Sequence, residues 1–160
     1  MKENELAEYR AKEIGFIFQF YNLIPTLTVY ENVALMKDIK DDILNPITIL
    51  ERVGLKNHVK KFPNQLSGGE QQRVSIARAI TKNPEILLCD EPTGALDSET
   101  GCKVLQLIKD VCREFQKTVI IVTHNSNIAK VADKVIRLKN GKILEISLND
   151  SPADIKEVEW

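Results

Sequence analysis

Apolar residues in this chain follow two patterns: short continuous runs, and longer stretches in which they recur every three or four positions. Ile14-Gly15-Phe16-Ile17-Phe18 is the first run, rich in aromatic and β-branched residues, and it predicts a strand. Glu85 to Cys89 and Thr118 to Thr123 are two more, nearly free of polar interruption, as in strands covered on both faces. Between them Val74, Ala77 and Ile80 mark one side of a helix that ends before Pro84. Val104, Ile108, Val111 and Phe115 mark another, capped by Asp97 or Ser98. Residues 3 to 13 and Leu27 to Met36 also read as helical, the first with only Leu6 and Tyr9 as large apolar positions. Asn45-Pro46 places an N-cap before a proline at the first helical position and opens a short helix ending near Gly54. Lys56 to Gln65 reads as a loop, with Pro63 barring a regular helix. Late in the chain a short helix around Ile128 to Ala132 precedes two strands joined at Asn140-Gly141, a hairpin signal. The tail has a helix start at Ser151-Pro152 but too few apolar residues to require packing. Alternating strands and helices predict an α/β domain with a mainly parallel sheet and an appended β-hairpin, in one compact unit.

Length and composition narrow the function. One hundred and sixty residues suit a single domain, and 43% apolar against 28% charged residues is too apolar for disorder. Lys and Arg total 22 against 23 Asp and Glu, so a general polyanion binder is not expected, and nucleic acid is not among the expected partners. No apolar run approaches the roughly 18 residues of a membrane span. The start, Met1-Lys2-Glu3-Asn4-Glu5, is acidic and polar where a signal peptide would be basic and then apolar. Three widely spaced cysteines suggest reduced thiols in a cytosolic chain rather than a disulfide framework. Cys89, inside an apolar run, reads as a small hydrophobe, and no cysteine is given a metal or redox role.

Two constellations carry chemistry. Ile86-Leu87-Leu88-Cys89-Asp90-Glu91 ends an apolar strand in two adjacent carboxylates, at the sheet edge where open α/β folds bind ligands. Asp90 suits Mg²⁺, a hard cation that takes oxygen ligands, and Glu91 can polarise a water for attack on a phosphoryl group. Leu66-Ser67-Gly68-Gly69-Glu70-Gln71 has the form of a capping box, with two glycines at a helix start that favours anions. Taken singly, each pattern also fits an ordinary exposed turn or helix cap. His58, in a polar loop, reads as structural or surface, and Lys37 to Asp42 as a solvated segment.

Order and spacing change the weight of these patterns. The run from Leu66 through Arg73, then a helix, then an apolar strand ending in Asp90-Glu91-Pro92-Thr93, resembles the signature-to-Walker-B segment of ATP-binding cassette (ABC) ATPases. Gly94-Ala95-Leu96-Asp97 is similar to that family's D-loop, Val122-Thr123-His124 to its switch histidine, and Gln19 to its Q-loop glutamine. The resemblance covers about Ile14 to Ile143. Ile14 to Asn32, Asp90 to Asp97 and Val119 to Asn125 are similar to the branch serving lipoprotein, macrolide and antimicrobial-peptide exporters, whose partners are FtsX-like permeases.

The resemblance implies a P-loop NTPase-like α/β fold with a helical signature region and a C-terminal hairpin. It implies the cofactors ATP and Mg²⁺, Asp90 on the metal and Glu91 as general base. His124 would contact the γ-phosphate, and Gln19 would sense metal and water beside the permease. Ser67, Gly68, Gly69 and Gln71 would bind ATP held mainly by a second ABC ATPase subunit, with Asp97 at the dimer interface. It also implies a cytoplasmic chain, peripheral on the inner face of the membrane. The divisions expected are a Q-loop segment over 14–25, a helical and signature region over 26–83 and a Walker B to hairpin segment over 84–148. Together they make a partial ABC domain over 1–148, followed by a tail over 149–160.

One family motif is absent. No Gly-x-x-x-x-Gly-Lys-Ser/Thr occurs; Gly141-Lys142 lacks the earlier glycine and is followed by Ile143. That loop would supply the backbone cradle, the phosphate-binding lysine and a metal-binding hydroxyl. The expectation is an incomplete cassette that binds MgATP poorly alone. Its Walker B strand would have lost a neighbour and would be left with an open edge. A non-catalytic partner lending its signature helix to a complete cassette is the alternative. An ABC-type ATPase of DNA repair is disfavoured, because Gln19 to Ser67 shows no sustained heptads.

Overall fold

The structure is a computed structural model that describes residues 2–157; Met1 and the end of the tail, 158–160, lie outside the described residues. It forms two compact units, Met1–Val122 and Thr123–Trp160, where the sequence pattern suggests one.

The first unit is built on three parallel strands, β1 (Ile14–Phe18), β2 (Ile86–Asp90) and β3 (Thr118–Val122), in the order β1-β2-β3. Ile14 pairs with Ile86 and Ile86 with Thr118, and the register holds to Phe18, Asp90 and Val122. The strand ending in Asp90 is therefore central and paired on both sides; the open edges belong to β1 and β3. This corrects the expectation of an open Walker B edge: both neighbours are supplied by segments within the chain.

Coverage of the faces is also less even than the apolar runs suggest. Ile17, Leu87 and Cys89 on one face are fully buried, beneath helices α4 (Gly68–Thr81) and α5 (Ser98–Glu114), whose Val74, Ile76, Ala77, Ile80, Val104 and Ile108 belong to the same core. On the opposite face, Ile120 and Val122 are 46% and 55% exposed. The stacked rings of Phe16 and Phe18 on β1 are half-buried. An uninterrupted apolar run thus marks a strand that is covered on one face only along β3.

Helices α1 (Glu3–Glu13), α2 (Val29–Ala34) and α3 (Pro46–Arg52) complete this unit. No residue of α1 is buried, as its polar composition requires. Helix α2 begins later than the apolar spacing predicts, because the Thr28 hydroxyl accepts from Glu31 N–H while the Glu31 carboxylate takes Thr28 N–H at 2.8 Å, which closes a capping box. Asn45 caps α3 through Ile47 N–H and Thr48 N–H, as its place before Pro46 suggests.

The second unit holds helix α6 (Ile128–Val131) and the antiparallel pair β4 (Lys134–Lys139) and β5 (Lys142–Leu148). Asn140 and Gly141 turn between them with φ of 51° and 73°, as a type I′ turn demands. In the tail, Ser151-Pro152 opens no α-helix. Ile155, in a single 3₁₀ turn, is nevertheless 1% exposed, so the segment does pack, contrary to its composition. No described helix is long and apolar enough to cross a membrane.

Candidate functional site

The carboxyl ends of the parallel strands hold Asp90, Glu91 and Gln19 of the residues singled out from the sequence. Asp90 closes β2 and is exposed. Glu91 follows with φ 44°, a left-handed conformation that costs a residue with a side chain about 1–2 kcal/mol. Its N–H donates to Val122 O at 2.9 Å, tying the turn to the end of β3. Its carbonyl accepts from Gly94 N–H at 3.0 Å, so Pro92 and Thr93 form a tight turn that brings Gly94 back over Glu91.

Gln19, just beyond the end of β1, meets this turn. A Cβ placed on Gly94 would lie 2.9 Å from Gln19 Nε2, 3.2 Å from Gln19 Cδ and 3.4 Å from Glu91 Cβ. Only a hydrogen at that position lets the Gln19 amide and the Glu91 side chain border the same point. Asp90, Glu91 and Gln19 thus share the sheet edge where α/β folds bind ligands.

The second constellation is the start of α4. Ser67 caps it: the Ser67 hydroxyl accepts from Glu70 N–H at 3.3 Å, and Glu70 Oε2 accepts Ser67 N–H at 2.7 Å. That backbone bond holds the Glu70 carboxyl below its ordinary range. Burial opposes the shift, and the Ser67 hydroxyl, His58 and Lys61 add to it. His58 Nε2 lies 3.0 Å from Glu70 Oε1, so the loop histidine buttresses the cap. Gln71 Nε2 donates to Leu66 O at 3.2 Å, closing the turn from the other side.

Both glycines of this turn are packed from within the chain. A Cβ on Gly68 would meet Tyr21 Oη at 2.9 Å and Leu96 Cδ2 at 3.4 Å; one on Gly69 would meet Thr100 Cγ2 at 2.5 Å. Thr100 sits in the first turn of α5, which Asp97 caps by accepting Thr100 N–H at 3.0 Å. Hydrogen bonds from the Thr100 side chain and backbone hold the Asp97 carboxyl below its ordinary range. The starts of α4 and α5, with Ser67, Gly68, Gly69 and Asp97, therefore lie side by side.

Three polar side chains that the sequence reading passes over connect these parts. Gln72, fully buried on α4, donates to Pro92 O at 2.6 Å and so joins the α4 helix to the turn after Asp90-Glu91. Arg78 donates through Nη1 to Asn22 O at 2.8 Å and through Nη2 to Tyr21 O at 3.1 Å, gripping the loop that follows Gln19. Buried Asn32 accepts from Ile24 N–H at 2.8 Å and donates to Ile24, Leu27 and Thr28 carbonyls, holding the same loop further on. Each contacts backbone far along the chain or within an irregular loop, where residue spacing carries no signal.

His124 lies just beyond the end of β3 in the second unit and is exposed. The Thr123 hydroxyl accepts from Asn125 N–H at 3.0 Å across it, fixing the local turn. The buried thiols have no place in either constellation: burial pushes Cys89 well above the ordinary cysteine range and Cys112 up to about 12.

Comparison with known proteins decides the family. The model of the ABC transporter family matches residues 1–94, more than half of the chain. The chain belongs to the ABC transporter family. It is 45% identical over 163 aligned positions to MG065 of Mycoplasma genitalium, which carries the name of an ABC transporter ATP-binding protein. That match takes in 100% of this chain and 35% of MG065, so the chain spans about a third of that relative's length. It is 42% identical to the lipoprotein-releasing system ATP-binding protein LolD of Bacteroides fragilis, covering 90% of this chain and 69% of LolD. The fold is that of the cassette MJ0796 from Methanocaldococcus jannaschii, solved as a dimer in a post-hydrolysis state bound to ADP and Pi. The TM-score is 0.75 at 41% identity, over 92% of this chain and 68% of that one.

The residues present fit one half of an MgATP site. An exposed carboxylate at the strand end, beside a glutamine amide and a second carboxylate, suits a cation that takes one or two protein oxygens and completes its shell with phosphates and water. Among the described residues no group of three or more His, Cys, Asp or Glu could hold a metal ion. The polyphosphate half is not matched, since the sequence contains no phosphate-binding Gly-Lys-Ser/Thr loop.

Proposed function

We propose that this chain is the ATP-hydrolysing component of an ABC transporter of the lipoprotein, macrolide or peptide exporter branch, working with an FtsX-like permease at the inner face of the cell membrane. The observation that carries this reading is the meeting of Gln19 and Glu91 over Gly94, beside Asp90 at the strand end. LolD, whose name is that of a lipoprotein-releasing ATP-binding protein, supports the branch, and the dimeric MJ0796 cassette with ADP and Pi supports a dimeric hydrolase.

In this reading Asp90 would hold the Mg²⁺, directly or through water, and Glu91 would accept the proton of the attacking water. The Gln19 amide would orient that water, and the family pattern would give the His124 imidazole a donor role toward the phosphoryl group. When bound, MgATP supplies the scissile phosphoryl group and the charge that these residues and the metal neutralise. Across a dimer, Ser67, Gly68, Gly69 and Gln71 present the hydroxyl, amide and helix N-terminus to the nucleotide of the second subunit, with Asp97 at the interface.

The 160 residues lack a triphosphate cradle, so ATP turnover by this polypeptide alone is slow. Mg²⁺-dependent turnover is measured beside Glu91→Gln. Residual activity lost in that variant supports the assignment, and activity indifferent to it or to Mg²⁺ contradicts it.

A second reading has its own support, because the α4 start is fully formed here while the phosphate loop is not in the sequence. In it the chain lends that helix to a complete cassette. Adding it to an intact family member then raises that partner's turnover, Gly69→Val abolishes the effect and Glu91→Gln leaves it unchanged. No change in the partner's turnover contradicts the second reading.

A further inference from the structure

We infer that Arg78 is a positioning residue: it clamps the loop after Gln19 against the first turn of α4, so that Gln19 and Ser67–Gly69 move as one body. The functional weight of the clamp rests on the reading above; its existence rests on geometry alone.

Tyr21 and Asn22 both adopt left-handed backbone conformations, with φ of 60° and 49°. Such a conformation is unfavourable for an aromatic residue, and a pair of them in succession persists only when something outside the loop holds it. Arg78 is the holder. Its two terminal nitrogens reach two successive carbonyls, Asn22 O at 2.8 Å and Tyr21 O at 3.1 Å, one from each arm of a fork of fixed geometry, where an ammonium would have to serve both from a single atom on a flexible stem. Burial lowers the guanidinium's pKa, in keeping with a group committed to protein contacts rather than to water.

The loop turned in this way drives Tyr21 onto the start of the same helix. The Tyr21 hydroxyl lies 2.9 Å from where a Cβ on Gly68 would stand, with its ring carbon Cζ at 3.8 Å. The loop is therefore fastened to α4 at two points: a guanidinium late in the helix and an aromatic hydroxyl on its first turn. Asn32 anchors the far end of the loop, through Ile24, Leu27 and Thr28. Gln19 enters this fastened segment at its beginning, beside Gly94 and Glu91. A displacement at Gln19 must then reach Ser67–Gly69 through Tyr21, unless Arg78 releases it.

Hydrogen exchange of the unliganded 160-residue chain, read by mass spectrometry, tests the clamp without recourse to nucleotide. It uses Arg78→Lys, Gly68→Ala and the double variant, with exchange in α5 as the control for global opening. Gly68→Ala alone pushes a methyl group against a hydroxyl that is held in place, and exchange at 67–71 quickens about fivefold. In the Arg78→Lys background the tyrosine can yield, and the same change quickens exchange less than about twofold. Effects that simply multiply would overturn the proposal, because an arginine acting only by packing predicts independence. Should Arg78→Lys fail to fold, Tyr21→Phe replaces it: the lost hydroxyl makes room for Gly68→Ala, and an undiminished effect of the methyl group contradicts the clamp. A clamp intact in a chain whose turnover ignores Glu91→Gln would sink the catalytic reading and leave this one standing, and the reverse holds equally.

Discussion

Gly15→Ala and Gly94→Ala add the same methyl group at two places and separate packing from chemistry. At Gly15 the new Cβ would stand 2.8 Å from Leu87 Cδ2, 2.9 Å from the Ala79 carbonyl oxygen and 3.0 Å from Pro84 Cγ. A helix carbonyl and a proline ring cannot step aside without moving backbone, so β1 must shift away from α4. Overpacking of this kind costs about 2–3 kcal/mol, which lowers the melting temperature of a chain this long by about 4–12 °C. At Gly94 the close neighbours are the far end of Gln19, at 2.9 and 3.2 Å, and Glu91 Cβ at 3.4 Å. The Gln19 amide can swing away for less than about 1 kcal/mol, and the reduced freedom of the unfolded chain offsets part of that. Urea denaturation followed by circular dichroism gives the stabilities, and the Gln19 side-chain NH₂ resonances report its position. Gly15→Ala should lower the midpoint by about 1 M while leaving those resonances near their original shifts, and Gly94→Ala should do the reverse. A Gly94→Ala protein as unstable as Gly15→Ala, or with Gln19 unmoved, would refute the placement of Gln19 against Glu91.

Three further outcomes follow from the same contacts. Asn32→Ala strands Ile24 N–H and the Leu27 carbonyl, while the Ile24 and Thr28 carbonyls lose one donor and keep a backbone N–H, so stability should fall by about 2–4 kcal/mol and exchange protection over 24–28 should drop; a loss below about 1 kcal/mol would contradict the role given to Asn32. Glu70 has its folded-state pKa lowered, so its contribution to the α4 cap is complete above the ordinary glutamate value of about 4.3 and fades as pH falls through the lowered one. Glu70→Ala should cost about 1 kcal/mol at pH 7 and progressively less below pH 4, read from denaturation midpoints, and an effect that grows on acidification would be the wrong sign. Alkylation at pH 8 followed by peptide mapping should label the half-buried Cys102 well before Cys89 and Cys112, whose burial raises both thiols, with Cys112 at about 12; equal labelling would show that the core is open.

What the sequence disclosed were features written in neighbouring residues. The Ser67–Glu70 capping box, the Asn45 cap and the Asn140-Gly141 turn all depend on spacings of a few positions and occur as read, and of Asp97 and Ser98 it is Asp97 that caps its helix. Thr28 and Glu31 have the same spacing as Ser67 and Glu70, yet the apolar positions around them suggest an earlier helix start; the hydrogen bonds of the cap decide it. Gln72, Arg78 and Asn32 were illegible for a different reason. Their partners are backbone carbonyls and an N–H group brought close only by the tertiary fold, and nothing in a residue's own type announces such a partner. The strand environment misled in a third way. Apolar content alone cannot distinguish β2, central and paired on both edges, from β3, with one face open, because both runs are equally hydrophobic. The glycines of the α4 turn add a last lesson: read as room for an anion, they are also required by Tyr21 and Thr100 of the chain itself.

The proposed hydrolysis requires metal and nucleotide to meet at Asp90, Glu91 and Gln19. Titrating Mn²⁺ with ATP into the isotopically labelled chain, and following paramagnetic broadening residue by residue, tests this requirement even when binding is weak. Signals of Asp90, Glu91, Gln19 and Gly94 should broaden first, and only when ATP is present. Broadening that spares them and settles on the acidic segment Asp38 to Asp42, or that ignores ATP, would contradict the claim.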